Sequence, residues 1–164
     1  MILIGIGSNL AHSPAQSPRA TAEAALAALP GIGVRLLARS GWYLSEPQPA
    51  SDQPWFVNAV ASIASDLAPE ALLDRLLRLE IAFGRTRSVP NAARTLDLDL
   101  LDYDSRQSES PSLILPHPRL HHRLFVLAPL REVAPGWRHP RLGLTVTELT
   151  ERLPPGQLVS RLED

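Results

Sequence analysis

The run Arg94-Thr95-Leu96-Asp97-Leu98-Asp99-Leu100-Leu101 alternates apolar and acidic residues. Such alternation reads as a β-strand, whose successive side chains point to opposite faces. Leu96, Leu98 and Leu100 then share one face, and Asp97 and Asp99 share the other. The leucine face belongs to a core. The two carboxylates therefore stand side by side, with Cα atoms about 7 Å apart along the strand. Any fold for this chain has to build a sheet that buries the leucines and leaves the acidic pair accessible.

Further elements can be read around this strand. Residues 2–6 form a short apolar strand, and Ser17-Pro18 opens an Ala/Leu-rich helix that Pro30-Gly31 stops. Residues 34–44 and 56–65 are β-like stretches, separated by a loop carrying Pro47, Pro49 and Pro54. Pro69-Glu70 starts a second helix, with Leu72, Leu73, Leu76, Leu77 and Phe83 at helical spacing and Gly84 as its stop. The strand at 95–103 follows. The order strand, helix, strand, strand, helix, strand predicts an α+β fold with a ferredoxin-like βαββαβ core, its helices on one face of an antiparallel sheet. The last third adds helical stretches near 120–133 and 146–153. A chain of 164 residues is expected to be one domain spanning 1–164. Its 16 prolines, about twice the usual share, stiffen long connections, which places function in the loops.

Composition removes several classes of chemistry. With no cysteine, disulfides, thiolate metal sites and a thiol nucleophile are excluded. All 16 cationic side chains are arginine, so Schiff-base chemistry and a lysine-bearing phosphate loop are excluded too. Arginine forks remain, and they suit bidentate contacts to phosphate oxygens. A formal net charge of −1 gives no general pull toward nucleic acid or an anionic membrane. The apolar N-terminal run lacks a basic flank and ends at Ser8-Asn9, so neither a secretory signal nor a membrane span is expected, and the chain reads as cytoplasmic.

Asp97 and Asp99 could together hold two hard cations, the arrangement of two-metal phosphoryl chemistry. An ordinary exposed strand face is the plain alternative, but Arg85, Arg87 and Arg94 bracket the preceding loop, and His117, Arg119 and Arg123 follow. Carboxylates for a metal beside arginines for phosphate oxygens are the parts of an in-line phosphoryl transfer. In Asp52-Gln53-Pro54-Trp55-Phe56-Val57-Asn58-Ala59, the two-residue period puts Phe56 and Asn58 on one strand face, where they could stack on and read a flat heterocycle. His117, His121 and His122 lack the companions of a closed zinc site. Gly5-Ile6-Gly7 lacks the third glycine of a dinucleotide fingerprint.

Together these segments resemble the 6-hydroxymethyl-7,8-dihydropterin pyrophosphokinase family of the folate pathway. The likeness runs from Ile4-Gly5-Ile6-Gly7-Ser8-Asn9-Leu10 through Asp52-Gln53-Pro54, Phe56-Val57-Asn58-Ala59 and Gly84-Arg85-Thr86-Arg87. It continues through Arg94-Thr95-Leu96-Asp97-Leu98-Asp99 and Pro116-His117-Pro118-Arg119 to Phe125-Val126-Leu127-Ala128-Pro129-Leu130. The resemblance implies transfer of the terminal diphosphate of ATP to the pterin hydroxymethyl group, with AMP leaving. It implies Asp97 and Asp99 as ligands of two Mg2+ ions, and Arg85 and Arg94, with Asp97, as catalytic residues. Phe56 and Phe125 would sandwich the pterin and Asn58 would read its polar edge, with Gly7, Ser45 and Gln48 lining the same pocket. Glu80, Arg87, His117 and Arg123 fall to the nucleotide side. A monomer acting on small molecules is the family-like expectation. The chain departs from the pattern where Pro90 replaces a common arginine, Ala93 a proline and Pro118 a tyrosine. Two rival readings stay open: a metal-dependent phosphoesterase and a non-enzymatic small-molecule-binding domain.

Overall fold

A computed structural model describes residues 1–86 and 90–164. Its main sheet is entirely antiparallel and runs in the order β5 (Asp97–Tyr103), β1 (Ile2–Ser8), β4 (Phe56–Ala64), β3 (Tyr43–Ser45), β8 (Val159–Arg161). A further strand, β2 (Arg35–Arg39), pairs with the other half of β4. The two helices expected from the sequence are α1 (Pro18–Ala28) and α2 (Pro69–Ala82). They bury Ala22, Ala25, Leu26, Leu72 and Leu76 against Ile4, Ile6, Leu98 and Leu100 on one face of the sheet. The C-terminal third covers the opposite face. There α3 (Leu124–Val133) and α4 (Val146–Glu151) pack Val126, Leu127, Leu130 and Leu149 on Leu3, Val60 and Leu101. A two-stranded ribbon, β6 (Ser108–Ser110) with β7 (Leu113–Leu115), follows β5.

Local chemistry sets these boundaries. The Ser17 hydroxyl accepts from Ala20 N at 3.1 Å and caps α1, with Pro18 at the first helical position. Gly84 ends the second helix with φ 84°, a left-handed conformation that costs glycine nothing. α4 begins with a reciprocal capping box between Thr145 and Glu148. The single strand expected over 34–44 is divided. Ser40 leaves the ladder, its N–H donating to Val60 O at 2.9 Å and its hydroxyl accepting from Val60 N at 3.0 Å. Its neighbours fall into β2 and β3 on either side of that break.

The strand with the alternating acidic pair behaves as its period requires. Leu96, Leu98 and Leu100 are buried in the first core, and Asp97 and Asp99 are half-exposed on the other side. The alternation breaks after Leu100. Ile4 pairs with Leu100 and Leu3 with Asp102, so one extra residue enters β5. Leu101 joins the second core, and Asp102 accepts from Trp137 Nε1 at 2.8 Å. Among the described residues, no helix is long and apolar enough to cross a membrane.

His139 sits edge-on to Trp137 beside the second core. It is 3% exposed, and its Nδ1 accepts from the backbone N–H groups of Arg141 (3.2 Å) and Leu142 (3.1 Å). Burial first, then the charges of His121 and Arg141, push its pKa down to about 4. The folded chain therefore keeps this ring neutral, while the unfolded chain takes up a proton near the usual histidine value. Stability from His139 is full above about pH 6.5 and is lost as pH falls toward 4, by at most about 1.4 kcal/mol per unit. His117 and His121 shift in the same direction. Urea midpoints at pH 7.5 and 5 should accordingly fall further for the native chain than for His139→Asn.

Candidate active site

β5 delivers its acidic pair to one end of the sheet, where two arginines converge on it. Arg85 Nη1 lies 2.7 Å from Asp97 Oδ1, and Arg94 Nη1 lies 2.9 Å from Asp97 Oδ2. Both oxygens of Asp97 thus carry a charge-assisted hydrogen bond. Arg85 is itself held from behind by Glu80 Oε1 at 2.8 Å, and the same oxygen accepts from Leu98 N at 2.8 Å. Glu80, which the resemblance put on the nucleotide side, is a buried carboxylate on α2 that fixes both Arg85 and the strand.

Asp99 has a different environment. Burial and, second, the negative charge of Asp97 push its pKa well above the usual carboxylate range, against the opposing pull of Arg123 and Arg94. His117 Nε2 stands 3.9 Å from Asp99 Oδ1. Its Nδ1 accepts from Arg119 N at 3.2 Å, and burial together with Arg123 and Arg119 lowers its pKa to about 4, so it faces Asp99 uncharged. Asp97, Asp99 and His117 open onto a groove that Glu80, Arg85, Leu113 and Pro118 also line. Among the described residues, no three histidine, cysteine or carboxylate side chains converge to hold a metal. Asp97 and Asp99 stand side by side on the wall of this groove.

A second pocket adjoins Asp97 and Arg94 and is lined by Ser45, Gln48, Phe56, Asn58, Arg123 and Phe125. Asn58 Nδ2 donates to Ser45 Oγ at 2.6 Å, so the amide orientation is set by its neighbour on β3 and its oxygen side is left for other partners. Gly7 sits between the two halves. On β1 it pairs with Asn58 on one side and Asp97 on the other. A Cβ there would come within 3.0 Å of Asn58 Oδ1 and 3.9 Å of Phe56. The missing side chain leaves room for the Asn58 amide oxygen and for the cleft shared with Asp97, Asp99 and Phe125. Arg123, at the start of α3, lays its guanidinium 5.3 Å from the Phe125 ring centroid.

The model of the 7,8-dihydro-6-hydroxymethylpterin-pyrophosphokinase (HPPK) family matches residues 3–135. The chain belongs to this family. It is 39% identical over 151 residues to 2-amino-4-hydroxy-6-hydroxymethyldihydropteridine pyrophosphokinase of Synechocystis, covering 92% of this chain and 75% of that protein. Its similarity to the enzyme of the same name from Pseudomonas aeruginosa is 41% over 140 residues, covering 85% of this chain and 83% of that one. Among solved structures, one described as HPPK-DHPS in complex with substrates superposes with a TM-score of 0.67 at 11% identity, which speaks to the fold. That match covers 92% of this chain, which spans only 42% of the solved one.

Arg87 lies outside the described residues, and His121 packs against His139 away from the site, but the other residues implied for substrate, metal and nucleotide line the pocket, the groove or the cleft between them. They fall into two adjoining groups that meet at Asp97. Arg94 and Arg123 border the pocket, Glu80, Arg85, Asp99 and His117 border the groove, and Asp97 borders both. Sequence reasoning missed Glu46, Pro47, Pro49, Asn91 and Ala92 of the pocket wall and Leu113 and Ile114 of the groove. The wall residues lie in loops without periodicity. The concentration of proline between Ser45 and Trp55 was the one available signal.

Proposed function

We propose that this chain, as a single domain over 1–164, transfers the terminal diphosphate of ATP to the hydroxymethyl oxygen of 6-hydroxymethyl-7,8-dihydropterin and releases AMP, a step of folate synthesis. The observation that carries this reading is the join between the two sites. The pocket that presents Asn58, Phe56 and Phe125 shares Asp97 and Arg94 with the acidic, arginine-flanked end of β5. A flat heterocycle bound in that pocket would place its side arm toward the carboxylates.

The residues divide the work. Phe56 and Phe125 would hold the pterin rings, and Asn58, Ser45, Gln48 and the open backbone at Gly7 would orient its polar edge. Asp97 and Asp99 would hold Mg2+, two ions in this reading, with the remaining ligands from phosphate oxygens and water, because Mg2+ keeps such ligands readily. Bound there, Mg2+ would neutralise charge on the transferring phosphates. The negative charge of Asp97 that raises the Asp99 pKa would be relieved by such a cation. Arg85 and Arg94 each commit Nη1 to Asp97, and their remaining N–H groups would meet phosphate oxygens. Glu80 would keep Arg85 in place, and Arg87, His117 and Arg123 would serve the nucleotide side. In the transfer, the hydroxymethyl oxygen bonds to the β-phosphorus and loses its proton to water, while the bond from that phosphorus to the AMP oxygen breaks and AMP leaves with the electron pair. No covalent enzyme intermediate is needed, and positioning supplies most of the rate. Both substrates are small soluble molecules, and a cytoplasmic monomer suffices for the reaction.

AMP release on mixing the chain with Mg2+, ATP and the reduced pterin tests this. Pterin-dependent AMP is expected, and Phe56→Ala and Phe125→Ala should each raise the pterin KM roughly 3- to 10-fold, the weight of a lost ring-stacking contact. A metal-dependent phosphoesterase would instead release inorganic phosphate, with no dependence on the aromatic pair.

A further inference from the structure

Asn9 and Gln53 belong to the shared motifs, yet the proposed reaction gives them no role. Asn9 follows β1 directly, is 2% exposed, and is not among the residues lining the pocket or the groove. Its side chain is nonetheless fully used. Nδ2 donates to Gln53 Oε1 at 3.0 Å and to Pro54 O at 2.9 Å, and Oδ1 accepts from Arg94 N at 2.8 Å. The backbone repeats the grip, because Asn9 N and Leu10 N donate to Arg94 O at 3.1 and 3.0 Å. Gln53 closes a second link, its Nε2 donating to Asn91 O at 2.5 Å.

We infer that Asn9 is a positioning residue that ties the loop after β1, the loop before β4 and the loop before β5 to one amide, and so fixes the substrate wall relative to Arg94. The inference rests on the reaction proposed above. Its logic follows from the chemistry of an amide, which offers a donor group and an acceptor on one rigid plane. The acceptor holds the backbone of Arg94, three residues before Asp97, and the Arg94 guanidinium reaches Asp97 Oδ2. The donor holds Gln53 and Pro54, just ahead of Phe56 and at the far end of the loop that carries Gln48. Hydroxyl residues have one proton to give and carboxylates none, so only an amide satisfies both sides at this point.

Two substitutions separate the two arms. Asn9→Asp keeps an acceptor for Arg94 N but turns the donor side into a carboxylate oxygen facing Gln53 Oε1 and Pro54 O. It is expected to raise the pterin KM about tenfold with kcat within threefold, and Gln53→Ala should do the same. Asn9→Ala releases both arms and should also lower kcat by about 10- to 100-fold, the scale of a small misplacement of catalytic groups. A role confined to stability predicts lower melting temperatures with native KM and kcat, and that result overturns the inference. Amide hydrogen exchange at Arg94 provides a readout independent of turnover. Faster exchange in Asn9→Ala and native exchange in Asn9→Asp support the tie, while native exchange in Asn9→Ala refutes it. If the native chain releases no AMP, the proposed reaction fails, and the exchange result alone decides the tie. Should Asn9→Ala not fold, the KM of the Gln53→Ala protein decides in its place: a native value overturns the inference.

Discussion

Asp97→Asn is expected to lower pterin-dependent AMP release by at least about 100-fold, the loss typical of removing one preorganised electrostatic group from a reacting centre. Asp97 is the point where the two halves of the site meet. One oxygen faces Arg85 at 2.7 Å and the other faces Arg94 at 2.9 Å. Asparagine keeps one acceptor, but its amide hydrogens then oppose a guanidinium, and the acidic pair loses half its charge. Mg2+ binding, followed by calorimetry, should weaken in parallel, because hard cations depend on carboxylate charge. The variant carries its own control. Asp97 is the second cause of the raised Asp99 pKa, so Asp99 should titrate lower once Asp97 is neutral. Activity within threefold of the native chain would remove Asp97 from the proposed chemistry.

The largest effect on stability is expected at Glu80. This carboxylate is 1% exposed, bonds Leu98 N at the heart of β5, and pairs with Arg85, whose own side chain is 12% exposed. Glu80→Ala leaves a buried backbone N–H without this acceptor and a nearly buried cation with one partner fewer. Breaking a buried pair on one side costs about 3 kcal/mol, far more than the pair contributes when intact. The urea midpoint should fall accordingly with an unchanged slope. Exchange of the Leu98 amide should speed up beyond that of its strand neighbours. A shift below about 1 kcal/mol would mean that water or another donor replaces the carboxylate. Activity should fall as well in the folded fraction, because Arg85 would then be anchored by Asp97 and no longer by Glu80.

What could be read from the sequence follows the range of the interactions involved. The faces of β5 were legible because period two is a local property, and Leu96, Leu98 and Leu100 are buried as that period demands. Helix starts at Pro18 and Pro69 and the stop at Gly84 were legible for the same reason. The short strands β6, β7 and β8 were not, because three residues carry too little pattern to stand out from a loop. The division of residues 34–44 depends on Ser40 bonding Val60, a partner 20 residues away. Within the site, Asp97 and Asp99 announced themselves by spacing, and the family likeness supplied the aromatic pair and Asn58. Glu80 as the anchor of Arg85 and Asn9 as the tie between loops could not be found by spacing. Their partners lie on other elements, as far as 85 residues apart in the case of Asn9 and Arg94.

The place of Gly7 in the sheet has a wider consequence. Its neighbours across the ladder are Asn58 on β4 and Asp97 on β5, so one strand separates the amide from the carboxylate. Adjacent strands lie about 4.8 Å apart, which sets a span of roughly 10 Å between the two. That span is a gauge cut into main-chain hydrogen bonds, and no side-chain substitution resets it. Loops around the rim can drift in length and composition and alter which molecules enter or how fast they leave. The interval between the two halves of the site is inherited with the sheet itself, and shifting it would require re-registering a central strand and turning its core inside out.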